Sequence, residues 1–245
     1  MTQENNRNEA AVSETIGFIY IFAIVILSIS LIYAMGYPAL QSTIDASVFE
    51  SSEQSFIVLQ SDMKMVAFDQ VPVKNLNIQL QGSTLSITNN SNITIDYPGN
   101  IVTFATGEIE FQKNDRSLIY ENGGVWKRYP DGIVIVSNPR IYTDTINGNN
   151  TTTIGVVSIR GSSSTGGKGI AVLNMRYNTS EIYANQSLAN LTLKINSTNA
   201  RKKWENYLIN IGFDISGEST DSNLTAWRNN TALIVARHLV DVEIT

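Results

Sequence analysis

Residues 11–37 form a stretch that is apolar on every side of a helix. No charged residue occurs between Glu14 and Asp45, and residues 16–35 are nearly all apolar. At 1.5 Å rise per residue, a 20-residue helix is about 30 Å long, the hydrocarbon thickness of a bilayer. A helix that is apolar all round must be buried in lipid or inside an assembly. No other part of the chain is apolar enough to wrap it as a central helix, so the pattern predicts a membrane span.

A second pattern follows directly, in which apolar residues recur at three- and four-residue spacing. Its members are Leu40, Ile44, Val48, Phe56, Leu59, Met63 and Val66, with a gap at Ser52. This spacing predicts an amphipathic helix that continues to about Phe68 and is closed by Pro72. Pro38 lies within it and is expected to cause a kink. We therefore expect one long, kinked helix that is first apolar all round and then apolar on one side.

Beyond Val73 the pattern changes to short alternating or β-branched runs, separated by Gly, Asn-Asn, Pro-Gly and Asn-Asp turns. Such spacing is typical of an antiparallel β-sandwich or barrel-like sheet. The predicted strands are 77–80, 84–88, 93–96, 101–105, 108–112, 117–121, 125–129, 133–136, 139–143, 152–159, 170–177, 191–195 and one or two within 232–244.

Three non-strand segments complete this predicted domain. Residues 161–169 indicate a flexible loop by composition, and residues 216–223 a polar loop. Residues 200–211 predict one helix, capped from within 197–199 and ended by Gly212. The fold class is thus α+β: a long apolar N-terminal helix followed by an antiparallel β-rich domain with one short helix. The predicted divisions are a leader at 1–10, the long helix at 11–70 and the β-domain at 71–245.

The composition argues against several classes of function and kinds of site. The net charge of −5 argues against a general nucleic-acid binder, which would show a basic patch. The chain has no cysteine, which excludes disulfides and thiolate sites. Arg7 precedes the apolar stretch, and no basic residue follows until Lys64, so the positive-inside rule favours a cytoplasmic N-terminus and an extracellular β-domain.

The start of the chain carries a resemblance. The polar leader, the run Ser13-Glu14-Thr15-Ile16-Gly17, the apolar helix, the amphipathic residues 47–63 and a β-rich head together resemble archaeal type IV pilin-like proteins. The likeness is to an uncharacterised group from haloarchaea and methanogens, and it covers roughly residues 10–70. It implies that a prepilin peptidase-like enzyme removes the leader on the cytoplasmic side. The helices then pack into a filament core, with adhesive or structural heads outside.

The resemblance implies where the processing enzyme would cleave the leader. Cleavage after Glu9 would start the mature chain at Ala10 and make Glu14 the fifth residue, the usual pilin position. Cleavage after Ala10 would start it at Ala11. Such leaders usually carry a basic residue next to the cut, whereas here Arg7 is followed by Asn8. The alternative is therefore an uncut, single-pass anchored domain that binds a partner or surface layer without polymerising.

Glu14 is the predicted assembly residue. A buried, unpaired carboxylate is costly, so in a filament it would need a partner such as a neighbouring N-terminal amine. The expected partners of the chain are accordingly membrane lipid, sister helices and the processing enzyme.

The glycosylation pattern Asn-x-Ser/Thr occurs ten times, always beyond residue 88. Its confinement to the predicted β-domain fits an extracellular glycoprotein. The candidates are Asn89, Asn92, Asn149, Asn150, Asn178, Asn185, Asn190, Asn196, Asn223 and Asn229.

No motif indicates an enzyme, and we expect no catalytic residues, cofactor or metal. His238 is the only histidine, in a predicted strand and without a Gly-x-Ser-x-Gly elbow, which favours a structural or surface role. Residues 161–169 fail the phosphate-loop pattern, since its first Gly and final Ser/Thr are missing. The carboxylates of Asp214, Glu218 and Asp221 do not match calcium-loop spacing and indicate a solvated loop. The basic residues 201–203 indicate a solvated helix face.

Overall fold

The computed structural model describes residues 3–146 and 148–245, with side chains from Ile16 onward except that of Gln186. The chain divides into two compact units, Met1–Val48 and Phe49–Thr245. The first unit is helical throughout its described residues. The second, called the head below, holds the end of the same helix, all the described strands and a short second helix. The prediction of a long apolar helix followed by an antiparallel β-rich domain with one short helix is confirmed.

Helix α1 spans Gln3–Ala67, and Pro38 lies inside it. The short helix α2 spans Ala200–Asn210. The strands are β1 Val73–Gln79, β2 Ser83–Thr88, β3 Asn92–Tyr97, β4 Asn100–Ala105, β5 Glu108–Lys113, β6 Arg116–Glu121, β7 Gly124–Tyr129, β8 Gly132–Ser137, β9 Ile141–Ile146, β10 Asn149–Arg160, β11 Ser163–Gly167, β12 Ile170–Asn196, β13 Asp214–Ile215 and β14 Asn223–Ile244.

The strands form two sheets. The smaller sheet has six strands in the order β11-β2-β5-β6-β7-β8, and all its pairings are antiparallel. The larger sheet has eight strands along the path β4-β3-β12-β14-β10-β9, with β1 paired to β12 and β13 to β14. Its β10–β14 pairing is parallel, a departure from the expected antiparallel pattern.

Tight turns connect the meander β5-β6-β7 because the sequence supplies residues that tolerate a left-handed backbone. Asn122 and Gly123 form the loop between β6 and β7, with φ values of 44° and 79°. Two such residues in succession match the type I′ hairpin turn, whose twist suits antiparallel strands. A side chain at Gly123 would also approach Arg140 to 2.5 Å, so this position needs glycine.

The smaller sheet packs on the last turns of α1. Alternate residues of a strand point to opposite faces, so Phe111, Leu118 and Lys127 share one face. Phe56 of α1 meets Phe111 on that face, with ring centroids 6.4 Å apart. The opposite face carries Trp126, whose ring lies 5.0 Å from that of Trp204 in α2.

A second apolar core lies between the larger sheet, α2 and Trp126. Its buried members come mainly from β3, β10, β12, β14 and α2, and include Ile93, Ile95, Phe104, Ile154, Val156, Leu191, Leu193, Trp204, Leu208, Phe213, Leu224 and Val235. The core therefore joins both sheets to the short helix.

Three local expectations were wrong. Residues 161–169 are not a mobile loop, because β11 pairs in register with β2. The two strands expected at 170–177 and 191–195 are parts of β12, which runs for 27 residues beside β14 with register shifts near Tyr177 and Asn185. Asn199 adopts a left-handed conformation and caps α2 with no side-chain hydrogen bond. The first α2 amides instead bond the carbonyls of Ser197 and Asp221.

Candidate functional site

The apolar half of α1 is the feature that most requires a partner. Among the described residues, one helix is long and apolar enough to cross a membrane; its candidate span begins at Ile16, has a mean hydropathy of 2.6 and buries none of its apolar window. All eighteen large hydrophobic side chains from Ile16 to Ile44 are at least 43% exposed. Such a surface is costly in water and is typical of a helix that lipid or other apolar helices cover.

Polar groups within this half are compatible with an apolar surrounding. The Ser28 hydroxyl donates to the Ile24 carbonyl at 2.7 Å, and the Thr43 hydroxyl donates to the Ala39 carbonyl at 3.0 Å. Both hydroxyls are therefore satisfied within the helix itself, as an apolar medium demands. A Cβ added at Gly17 or Gly36 would meet nothing within 4 Å. These two positions leave room for close approach by a second helix.

The last turns of α1 belong to the core of the head. Phe49, Phe56, Leu59, Met63 and Val66 are at most 1% exposed. The expected amphipathic face is thus present over these turns, while its first members, Leu40 and Ile44, are exposed. Phe49 was missed, although it lies three residues before the buried Ser52 and seven before Phe56 and so continues the same spacing.

Polar contacts fix the same turns of the helix against strands and turns of both sheets. Gln60 donates from Nε2 to the Gly123 carbonyl and accepts from the Ser137 hydroxyl, both at 2.5 Å. Asp62 pairs with Lys74 of β1 at 3.4 Å. These bonds come from the β6–β7 turn, from β8 and from β1 of the larger sheet, so they set both the rotation and the depth of the helix in the head.

Lys127 of β7 forms a charged anchor where α1 enters the head. Its Nζ donates to Glu50 Oε1 at 2.9 Å and to Glu53 Oε2 at 2.5 Å. It also lies 5.3 Å from the ring centroid of Phe49 and 5.5 Å from that of Tyr129. Burial disfavours the ammonium, but the bonds to Glu53 and Glu50 outweigh it and raise the pKa of Lys127.

His238 clamps the other end of this helical segment. Its ring lies 4.3 Å from that of Phe68, just after α1. Its Nδ1 lies 2.7 Å from the Ser180 hydroxyl on β12. Burial lowers the pKa of His238, and the Ala67 carbonyl opposes that fall. The ring is therefore neutral and packed beneath a helix end, as expected for a structural histidine.

A buried charge cluster joins α2 to the smaller sheet. The Lys203 side chain is fully buried, and its Nζ donates to Glu108 Oε1 at 2.7 Å and to Glu121 Oε2 at 2.5 Å. The Trp126 indole donates to the Lys203 carbonyl at 3.0 Å. The prediction of a solvated basic face at 201–203 is therefore wrong for Lys203. The single basic residue on the buried side of an otherwise apolar helix face was the available signal.

None of the ten glycosylation candidates is buried. Asn92 and Asn185 are half-buried, and the other eight are exposed. Five of them, Asn149, Asn150, Asn185, Asn190 and Asn229, gather where the β9–β10 turn meets the bulged middle of the β12–β14 ribbon. Next to the smaller sheet lies one candidate, Asn89, which directly follows the end of β2.

The other candidate residues are not brought together. Asp214, Glu218 and Asp221 are exposed, and within residues 16–146 and 148–245 no three His, Asp or Glu side chains gather as a metal site would require. Glu9, Ala10, Ala11 and Glu14 lie along α1, but their side chains are outside the described residues.

The arrangement is a long apolar N-terminal helix followed by a β-rich head. Residues 10–243 match the model of a family of unknown function, DUF7289. An uncharacterized protein of the archaeon Archaeoglobus fulgidus is 34% identical over 77 residues, which is 31% of this chain and 25% of that protein. The match thus spans about a quarter of the relative's length. No solved structure matches the chain. Since the family match covers both the apolar helix and the head, the chain belongs to the DUF7289 family, whose function is unknown.

Proposed function

We propose that this chain is a pilin-like structural subunit of an archaeal cell-surface filament or adhesion structure. Its helix would lie in lipid before assembly and against sister helices afterwards. One observation carries the proposal: the apolar half of α1 exposes eighteen large hydrophobic side chains. At about 1.5–3 kcal/mol for each fully transferred side chain, their burial is worth on the order of tens of kcal/mol. That exceeds the stability of a typical domain, so the segment must be covered.

The attachment of the head supports this reading. The same helix that must be covered by lipid or by other helices continues as the core of the head, where Phe56, Leu59 and Met63 are fully buried. Lys127 and Gln60 add fixed polar contacts. A head held in this way cannot separate from its helix without losing its own core. This firm attachment suits a subunit on which force acts by way of its helix.

The proposal also includes an orientation and a processing step. The N-terminus is cytoplasmic and the head extracellular, with a prepilin peptidase-like enzyme acting near Glu9, Ala10 and Ala11. The exposed positions of the glycosylation candidates are compatible with modification on the outer side.

The alternative is a single-pass anchored extracellular domain that does not polymerise. It is favoured by the length of the apolar window, which crosses a bilayer unaided, and by the lack of a basic residue beside Glu9 and Ala10. In that case, lipid alone covers the helix.

The Glu14→Ala variant separates the two functions. We expect it to abolish filaments, because assembly would lose the partner of the N-terminal amine, and to leave membrane insertion unchanged. The measurements are filament yield in the fraction sheared from native cells and protein retained in washed membranes. Thr15→Ala, one residue further along the helix, is the matched control. Wild-type filament yield from Glu14→Ala would overturn the assembly role. Absence of filaments from unmodified cells would favour the anchored alternative.

A further inference from the structure

The buried cluster around Lys203 contains the reactive groups of an amide-forming reaction as well as those of an ion pair. Its amine contacts two carboxyl groups at once, those of Glu108 and Glu121. The two glutamates are direct cross-strand partners in β5 and β6 and therefore point to the same side of the sheet. The side chains of Lys203, Glu121 and Glu108 are 0%, 1% and 8% exposed. An amine and two carboxyl groups are thus held together away from bulk water.

The surroundings of the cluster are aromatic. Lys203 Nζ lies 5.7 Å from the Trp126 ring centroid, and the Trp126 and Trp204 rings pack at 5.0 Å. Glu121 Oε1 and Trp204 Nε1 are fully buried, and neither has a hydrogen-bond partner of standard geometry among the described residues. The Trp204 side chain still helps to stabilise the Glu121 carboxylate, through a contact weaker than a standard hydrogen bond, and such a carboxylate is costly in a dry site.

The cluster holds its ammonium strongly: burial disfavours the charge of Lys203, but the charges of Glu121 and Glu108 outweigh it and raise the pKa of Lys203. Burial raises the pKa of the Glu121 carboxyl, and the Lys203 ammonium opposes the rise. The neighbouring Glu108 adds a like charge, which raises the Glu121 pKa further. The step rests on geometry: Lys203 Nζ lies 2.5 Å from Glu121 Oε2, so one transfer along this hydrogen bond gives a neutral amine beside a neutral acid, the pair that reacts to form an amide.

We infer that Lys203 and Glu121 form an intramolecular isopeptide bond, with Glu108 as the proton carrier. After the first proton passes to Glu121, the Nζ lone pair attacks Cδ of Glu121 and a C–N bond forms. The Glu108 carboxylate takes the second proton from the nitrogen and delivers it to the leaving hydroxyl. The C–O bond breaks, and one water molecule leaves. The ammonium and carboxylate become an amide and water, and Glu108 regains its charge, so atoms, protons and electrons balance without an oxidant.

Positioning lowers the barrier to this reaction. Amine and acid groups fixed in contact react with effective molarities of about 10⁵–10⁸ M, and a dry site removes the competing water. The bond would join α2 to β6 across 82 residues of sequence, which fixes the short helix covalently on the smaller sheet. This inference is independent of filament assembly, since it concerns the head alone.

The test is the intact mass of the full chain, made in a bacterial host without N-glycosylation, purified in detergent and measured under denaturing conditions. We expect a mass lower than the sequence mass by one water molecule. Because trypsin cleaves neither a modified lysine nor the bond itself, the digest should contain residues 117–127 joined to residues 203–228. An intact mass equal to the sequence mass, with normal cleavage after Lys203, would overturn the inference and leave a buried ion cluster.

Three variants assign the roles. Lys203→Arg keeps the positive charge but has no reactive amine of this kind, so its mass should equal its sequence mass. Lys202→Arg changes the exposed neighbour and should remain one water molecule light. Glu108→Gln should fold, as judged by its thermal melting, but stay unlinked. A fully linked Glu108→Gln protein would contradict the role of Glu108, and the wild-type mass decides the bond even if a variant does not fold.

Discussion

Replacing Phe56 by alanine tests whether the last turns of α1 are the core of the head. The Phe56 side chain is fully buried and packs edge-on against Phe111 of β5. Ile57, the next residue of the same helix, is 40% exposed. The two positions therefore differ in burial while sharing the helix, its turn and nearly the same distance from the apolar half of α1.

The expected magnitude follows from burial. Removing a fully buried phenylalanine ring costs about 3–5 kcal/mol, because its apolar contacts are lost and a cavity remains. In a unit of this size, each kcal/mol lowers the melting temperature by about 2–4 °C, so Phe56→Ala should lower it by roughly 6–20 °C. Ile57→Ala should cost about 1 kcal/mol or less, since much of that side chain stays in water.

Thermal unfolding of the full chain in detergent measures both variants. Tryptophan fluorescence reports on the head, because Trp126 and Trp204 are at most 1% exposed. A melting temperature lowered equally by Phe56→Ala and Ile57→Ala would refute the reasoning. So would a Phe56→Ala protein that melts like the wild type, since the helix would then not support the head.

Two further substitutions test the contacts at either end of this segment. Lys127→Met leaves Glu50 and Glu53 without their shared cation and should cost about 1–3 kcal/mol in urea unfolding, while Lys127→Arg should retain most of the stability; an unchanged Lys127→Met protein would contradict the anchor. Burial lowers the pKa of His238, so the unfolded chain binds that proton more tightly, and stability should be lost as the pH falls below about 6.5. The urea midpoint measured between about pH 7.5 and pH 5 should fall more for wild type than for His238→Gln, and identical pH dependences would argue against the clamp.

The sequence predicted the fold where local chemistry determined it. Asn114-Asp115 and Asn122-Gly123 supply residues that tolerate left-handed backbone, and the strands on either side were placed to within about two residues. The spacing of Phe56, Leu59, Met63 and Val66 predicted the buried helix face because every one of these side chains is fully buried in the head.

Prediction was weaker where distant pairing decides the structure. The middle of β12 is polar and half exposed, so it lacks an apolar pattern, yet its pairing with β14 keeps it extended. Strand β11 is composed of Ser, Thr and Gly and is a strand only because β2 provides a partner. The parallel β10–β14 pairing likewise has no local signal.

The buried cluster around Lys203 was also missed because it depends on residues that are distant in the sequence. Lys203 follows Arg201 and Lys202, and a basic triplet is normally solvated. Its burial depends on Glu108 and Glu121, which lie 95 and 82 residues away. Only the assembled sheet brings those carboxyl groups together beneath α2.

The mature N-terminus in native cells tests the pilin-like function most directly. Mass spectrometry of the protein isolated from the cell surface gives the first residue without any substitution. The proposed function predicts a chain that starts at Ala10 or Ala11, with Glu14 at the fifth or fourth position and the apolar helix at the new start. A chain that begins with intact Met1 would contradict it and identify the helix as a permanent single-pass anchor.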